Sequence, residues 1–323
     1  VIAPATDPGE RDAFVSVVIP TLDRPEPLRR CLAALATQRY SRERLQVVVV
    51  DDGSRPPAQV DEALHAGLRV SLLRQDRAGP AAARNRGAAA ARGRYLVFLD
   101  DDCVADPDWL AALEAAFEAH PGTVLFGGEI VNPCPDNVHT EVGELILDVL
   151  RERFRPEPGS VYFFRSMNLA LRADEFAACG GFDASLHTAE DRELSDRWLH
   201  RGGKLVAVPD ARVVHARPLT FREFAHRHYE YGRGAFHFHR IRRARGSGRI
   251  GFDLVAFYAH VVAACVKVPP RRRALWRLLL AAVWQACNTL GFAAELLRQR
   301  SQGGADRGLP RERGHRSPPQ SRA

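Results

Sequence analysis

Two stretches of this sequence run without a break from apolar residues into clustered carboxylates. Val47, Val48, Val49 and Val50 lead into Asp51 and Asp52, and the apolar run 95–99 leads into Asp100, Asp101 and Asp102. A continuous apolar run of this length, rather than an alternating one, suits a strand with both faces covered, as in a parallel sheet. Further strands are predicted over 15–19 and 68–73. Helices are predicted from the spacing of Leu28, Cys31, Leu32 and Leu35, over the alanine-rich 81–92, and from a cap at Asp106 with Pro107 through about 119. Alternation of this kind predicts an α/β chain with a mostly parallel central sheet and flanking helices.

Ligands of open α/β sheets bind beyond the carboxyl ends of the strands. Here those ends are Pro20 and Thr21, the DDGS at 51–54, and Asp100, Asp101 and Asp102, so two of three converging clusters carry carboxylates. No GxGxxG follows the first strand and no GxxxxGK[ST] is present, which argues against a dinucleotide fold or a P-loop. The segment Thr21 to Pro25 is not the glycine-rich, lysine-bearing loop of a sugar-1-phosphate nucleotidyltransferase either.

The 323 residues are 46% apolar and 26% charged, enough for one large domain with an appendage. Six cysteines (31, 103, 134, 179, 265 and 287) form no CxxC pair, which suits a reducing compartment. With no charged-then-apolar leader at the start of the sequence, the expected location is cytoplasmic. The net charge of +7 is uneven: residues 217–323 hold 21 Lys and Arg against 6 Asp and Glu. That basic third is also aromatic, with His226, His228, His237 and His239 interleaved with Tyr229, Tyr231, Phe236 and Phe238. The HxH spacings without cysteine argue against a zinc site. Segments 254–266 and 274–297 are apolar, but the first is too short to span a bilayer and the second carries too many polar groups. Both suit helices lying in a membrane interface, peripheral on the cytoplasmic face, with an anionic surface as partner. The bland alternative is a helical subdomain packed on the body or on a second copy. The expected divisions are an N-terminal lead (1–13), a catalytic domain (14–218), a basic helical extension (219–300) and a disordered tail (301–323).

A strand ending in Asp-x-Asp places two carboxylates on one side. Asp100 and Asp102 in that arrangement would hold Mg²⁺ or Mn²⁺ with sites left for phosphate oxygens. Turn-forming acids are the alternative, but the predicted cap at Asp106 already serves the next helix. Asp51 and Asp52 fit either base and ribose contacts or ordinary turn chemistry. Arg84, after a Gly-Pro step, fits either a diphosphate partner or a solvated helix face. Glu190 and Asp191 open an amphipathic helix, where two acids read locally as dipole partners. His215 ends an apolar strand, as a structural imidazole or as a metal ligand.

The order of these pieces, VSVVIPT (15–21), VVDDGS (49–54), ARNRG (83–87), FLDDD (98–102), NLALR (168–172), GGFD (180–183) and AEDREL (189–194), closely resembles family 2 glycosyltransferases over about residues 14–216. The resemblance implies the GT-A fold followed here by a C-terminal helical extension. It also implies a nucleotide-sugar donor (a UDP-sugar favoured, GDP- or dTDP-sugars the alternatives), Mn²⁺ or Mg²⁺, and inversion at the anomeric carbon. By position it makes Pro20, Thr21, Asp23 and Asp52 the nucleoside pocket and Arg84 the arginine near the donor phosphates. Asp100 and Asp101 fall on the donor side, Asp102 with His215 on the metal, and Asp191 becomes the catalytic base in place of a cap. The QxxRW motif and multiple spans of processive synthases are missing, so transfer of a single sugar is expected. YEYGRG (229–234) resembles a segment after the core in bacterial members acting on membrane-associated or cell-surface glycans. Three rival readings are a nucleotidyltransferase, a non-catalytic binding or scaffold protein, and nucleic-acid binding through the basic third, for which no module motif is present. The acceptor is not legible in these residues, and an oligomer through the C-terminal helices is compatible with them.

Overall fold

The structure, a computed structural model, describes residues 13–60, 67–134, 136–153, 162–247 and 254–305. The lead 1–12 and residues 306–323 lie outside it. In chain order the strands are β1 (Ala13–Thr21), β2 (Leu45–Asp51), β3 (Arg69–Arg74), β4 (Gly93–Leu99), β5 (Val104–Ala105), β6 (Val124–Val131), β7 (Asn168–Arg172) and β8 (Lys204–Val214). The α-helices are α1 (Pro25–Ala36), α2 (Pro80–Ala90), α3 (Trp109–Ala119), α4 (Val138–Arg153), α5 (Ala173–Cys179), α6 (Glu190–His200), α7 (Phe221–Arg245), α8 (Leu254–Lys267) and α9 (Ala274–Ala305).

The eight strands form one sheet in the order β3-β2-β1-β4-β7-β6-β8-β5. Valine runs fold this way because alternate residues serve opposite layers. Val47 and Val49 join Leu28, Leu32 and Leu35 of α1, while Val48 and Val50 pack on Ala83 of α2. The first layer also takes Trp109, Leu113 and Phe117 of α3; the second takes Phe176 of α5 and Leu194 and Trp198 of α6. The sheet is mostly parallel, as expected: parallel ladders join β3, β2, β1 and β4, and β6 to β8, while β7 runs antiparallel to both β4 and β6, and β5 antiparallel to β8.

The antiparallel strands shape the site. Asn168, the first residue of β7, pairs with Leu99, the last of β4, so the segment before β7 arrives beside Asp100. The short β5 pairs Val104 with Val214, which draws the 100–102 turn against the end of β8. Asn168 holds the arrangement from within. Its side chain accepts from the Trp109 indole and donates to the carbonyls of Glu129 and Ala211, each at 2.9 Å.

Two expectations need correction. Asp106 does not cap α3: the helix starts at Trp109, and Asp106 sits in the preceding turn with its backbone bonded to Arg212 and Trp109. Chain continuing past 300 is helical through Ala305, where disorder was expected from 301. The C-terminal helices pack on the body, sharing a core with α4 through Val142, Ile146, Phe224, Phe257, Val261 and Leu280. The boundary of α7 is set by a capping box at Thr220 and Glu223 that the sequence reading missed.

Two glycines set how closely α7 meets its neighbours. A Cβ on Gly291 of α9 would lie 2.0 Å from the carbonyl oxygen of Tyr229 in α7. A Cβ on Gly234 of α7 would lie 2.1 Å from Oγ1 of Thr188, directly before α6. Gly291→Ala is therefore expected to destabilise the protein by roughly 1–3 kcal/mol, because two backbones must separate. Gly143→Ala in α4, whose added Cβ meets nothing within 4 Å, is expected to stabilise it by about 0.5–1 kcal/mol through helix propensity. Urea-unfolding midpoints of the two variants check both signs.

Candidate active site

The ends of β1 and β2 are tied into one rim. Asp52 donates its N–H to the Thr21 carbonyl (2.9 Å), Asp23 N–H donates to Ser54 Oγ (2.9 Å), and Asp23 Oδ1 accepts from Arg55 N–H (2.7 Å). Pro20 and exposed Asp23 lie on this rim; Thr21 is buried below it. Asp52 is also buried and fully engaged: it accepts from the side chain of Gln75 and the N–H groups of Ala78 and Gly79 at 2.8–2.9 Å, fixing the loop that enters α2. Asp51 accepts from Ser54, Ala58 and Arg74, and those bonds hold its pKa below the ordinary value despite burial.

The three aspartates after β4 point to three different partners. Asp100 accepts from Arg84 at 2.6 Å. Asp101 accepts from Thr21 Oγ1 (2.7 Å) and from Arg24 (3.1 Å). Burial nevertheless raises it to about 6. Asp102 accepts from Arg24 (2.8 Å), with Arg217 at 3.7 Å and His215 Nε2 at 3.5 Å from its Oδ1. Burial would raise Asp102 as well, but the bond and charge of His215 and the guanidinium groups of Arg24 and Arg217 outweigh it and hold the carboxylate at about 2. The structure therefore brings Asp102 and His215 together, as the sequence suggested. Arg24 and Arg217 were missed, although both follow strand ends within four residues.

Arg84 was the ambiguous residue in the sequence. It is buried (3% exposed), so the solvated-face reading fails. One nitrogen donates to Asp100 and the other to Glu190 at 2.9 Å; its Nε has no partner. Glu190, also touched by Ser166 Oγ at 3.4 Å, rises to about 7 through burial and the neighbouring Asp191. Asp191 is less enclosed by surface area than Glu190 and stands in the first turn of α6, its Oδ1 accepting from Arg192 N–H at 2.7 Å. Burial lifts its pKa too, against the lowering charge of Arg192. Arg192 stacks on Phe163 (4.9 Å) and Phe238 of α7 (5.7 Å).

Helix α7 braces this turn. Thr188 Oγ1 donates to the carbonyl of Glu230 (3.1 Å), Arg245 binds Glu193 and Asp196 of α6, and Arg242 lies 3.3 Å from Asp196. His228 is walled in by Phe224, Tyr231 and Trp284 and lowered to about 4 by burial, so it behaves as a neutral core residue.

A divalent cation would find two protein donors here, Asp102 and His215. An ionised carboxylate oxygen and an imidazole nitrogen 3.5 Å apart suit adjacent positions around a small hard cation. Among the described residues no group of three or more His, Cys, Asp or Glu converges to hold a metal unaided. Asp102 and His215 thus fit an ion that takes its remaining ligands from phosphate oxygens and water, the usual habit of Mg²⁺.

Comparisons with known proteins agree with this architecture. Residues 16–175 match the sequence model described as Glycosyl transferase family 2. The chain is 31% identical over 237 residues to the pre-mycofactocin glycosyltransferase of Mycobacterium tuberculosis, covering 72% of this chain and 48% of that protein. It is 27% identical over 226 residues to glycosyltransferase AglE of Haloferax volcanii, covering 68% of this chain and 72% of that one. It thus spans about half the length of the Mycobacterium relative. A mannosyltransferase from Pyrobaculum calidifontis, solved with GDP-Man and Mn²⁺, superposes with a TM-score of 0.58 over 95% of this chain and 91% of its own, at 20% identity. That likeness identifies the fold as GT-A. With its seven motifs in order, the chain belongs to glycosyl transferase family 2.

Proposed function

We propose that the chain transfers one sugar from a nucleoside-diphosphate donor to an acceptor hydroxyl, with inversion, and that Asp191 is the base. The observation carrying this reading is the buried Arg84 bridge, which fixes the Asp191 turn opposite the strand ends. In it, Pro20, Thr21 and Asp23 border the nucleoside, and Asp52 shapes that pocket by holding the 75–79 loop. Asp100 and Asp101 act from the donor side, Asp100 by fixing Arg84 and Asp101 by fixing Thr21 and Arg24. Asp102 and His215 would hold Mn²⁺ or Mg²⁺, which when bound supplies positive charge to the leaving diphosphate. Arg24 and Arg217 stand on the same flank and extend that positive field. The mannosyltransferase solved with GDP-Man and Mn²⁺ supports a nucleotide-sugar donor and a metal in this fold.

The chemistry asked of the chain's own groups is modest. Asp191 accepts the acceptor's hydroxyl proton as that oxygen bonds to C1, and the C1–diphosphate bond breaks with its electrons leaving on the diphosphate. No second carboxylic acid is needed, because the diphosphate leaves unprotonated, unlike the alkoxide of a glycosidase. A base lifted above the ordinary aspartate range by burial is also better matched to a hydroxyl proton at neutral pH.

Asp191→Asn is expected to lower kcat by roughly 10²–10⁴-fold with donor affinity nearly unchanged. Glu190→Gln, which keeps a hydrogen-bond acceptor for Arg84, is expected to be much milder. Release of nucleoside diphosphate in the presence of Mn²⁺ and acceptor measures both, and an Asp191→Asn variant within about threefold of wild type would return the residue to a helix-terminus role.

The pH dependence follows from the same groups. A base must be deprotonated, so activity is lost as pH falls, and the raised pKa of Asp191 puts that acid limb above the ordinary aspartate range. The expected kcat profile of the wild type rises with pH through that limb, and the limb is absent from the residual activity of Asp191→Asn.

A further inference from the structure

Helices α8 and α9 form a hairpin whose inner face is used up by the core it shares with α4 and α7. Its outer face is apolar as well. On α8, Val255 (81% exposed), Ala259, Val262 and Val266 recur at steps of four, three and four, one stripe of a helix turned to solvent. On α9, Leu275 (67%), Trp276 (63%) and Leu279 are exposed, followed by Ala282, Ala286, Leu290 and Leu297 along the same side. The two stripes meet at the corner 268–273, which presents Lys267, Arg271 and Arg272 to solvent.

This corner is rigidly held from inside. Arg277, with no exposed surface, donates to the carbonyls of Cys265, Val268 and Pro269 and pairs with Glu141 of α4. The carbonyls left over at the end of α8 are thereby satisfied. Apolar side chains at a braced corner stay outside for want of a partner within the fold, and a contiguous patch of that kind marks an interaction surface.

Charge identifies the partner. Between residues 254 and 305 the sequence has seven Lys and Arg and a single acid, Glu295, which is 1% exposed and paired with Arg233, His237 and Arg298. Asp136, exposed at the foot of α4, pairs with Arg273 of this corner, so the three cations turned to solvent, Lys267, Arg271 and Arg272, outnumber the one carboxylate beside them. A second copy would set these cations against their own images, with Asp136, already held by Arg273, as the one exposed carboxylate at the corner to offset them. No helix among the described residues is long and apolar enough to cross a membrane, so the face lies on a bilayer rather than through it.

We infer that the α8–α9 corner docks on an anionic lipid surface, with Leu275, Trp276 and Leu279 seated among the acyl chains and Lys267, Arg271 and Arg272 at the headgroups. Tryptophan at that depth has both the apolar body and the polar N–H the boundary favours. Because α9 packs on α7, and α7 on the turn before α6, such docking would fix the orientation of the cleft relative to the bilayer.

Flotation of the full chain with vesicles tests this independently of any catalytic role. The chain is expected to float with vesicles of equal parts phosphatidylcholine and phosphatidylglycerol, to float weakly with phosphatidylcholine alone, and to be released only in part by salt. Arg271→Glu/Arg272→Glu should cut partitioning onto the mixed vesicles by about tenfold or more, since each basic group near such a surface contributes about a fivefold attraction. Leu275→Ser/Trp276→Ser should remove the salt-resistant fraction. All four positions are exposed, and an unchanged melting temperature and circular dichroism spectrum will show that the variants fold. The proposal is overturned if the wild type stays in the dense fraction with mixed vesicles at low salt, or if charge reversal leaves flotation unchanged. A dimer that Trp276→Ser dissociates, formed by a chain that binds no vesicles, overturns it equally by giving the face to a second copy.

Discussion

The strand ends at the mouth of this sheet are tied to the facing helix α6 by one buried guanidinium. Arg84 reaches from α2 to Asp100 at the end of β4 and to Glu190 at the start of α6, two segments 90 residues apart in sequence. An arginine removed from water needs its charge met, and a carboxylate removed from water needs the same. Neither Asp100 nor Glu190 would hold its place without Arg84 between them. Their pairing sets the distance between the donor side of the cleft and the turn that carries Asp191. Truncating one partner of such a triad leaves a buried charge behind, at a cost of about 3–5 kcal/mol.

A second constraint fixes the far wall. The first turn of α6 is pinned from above by α7, through Gly234 against Thr188 and the pairs of Arg242 and Arg245 with Glu193 and Asp196. Helix α7 is in turn locked to α9 where Gly291 lets the backbones touch. The basic helical region thus braces the turn that carries Asp191 and at the same time carries the apolar corner outward. The proposed base and the proposed docking face therefore belong to one packed unit.

Much of this was legible in the sequence, for physical reasons that differ from residue to residue. The apolar runs 47–50 and 95–99 could only be covered strands, and strand ends must then gather at one edge. Asp102 and His215 were readable because both sit at such ends. Asp106 misled because a cap sequence is only a local preference, and here the backbone of Asp106 is claimed by Arg212 across β8. Direction was harder: nothing in NLALR says that β7 runs antiparallel, and only its pairing with β4 does. Arg24 and Arg217 were invisible for the same reason, since a guanidinium finds its carboxylate through tertiary contact. Locally, Glu190 and Asp191 looked like dipole partners. Burial separates them, with Glu190 given over to Arg84 and Asp191 left at the more open position.

The central claim is that the edge formed by β1, β2, β4 and β8, faced by the first turn of α6, is the donor site. Crystallographic location of a nucleoside diphosphate bound with Mn²⁺ tests it most directly. The account predicts the base beside Thr21 and Asp23, the diphosphate and the ion at Asp102 and His215, and open space between the phosphates and Asp191 for a sugar. A nucleotide seated elsewhere on the chain, or an ion that leaves Asp102 on Arg24 alone, would contradict it.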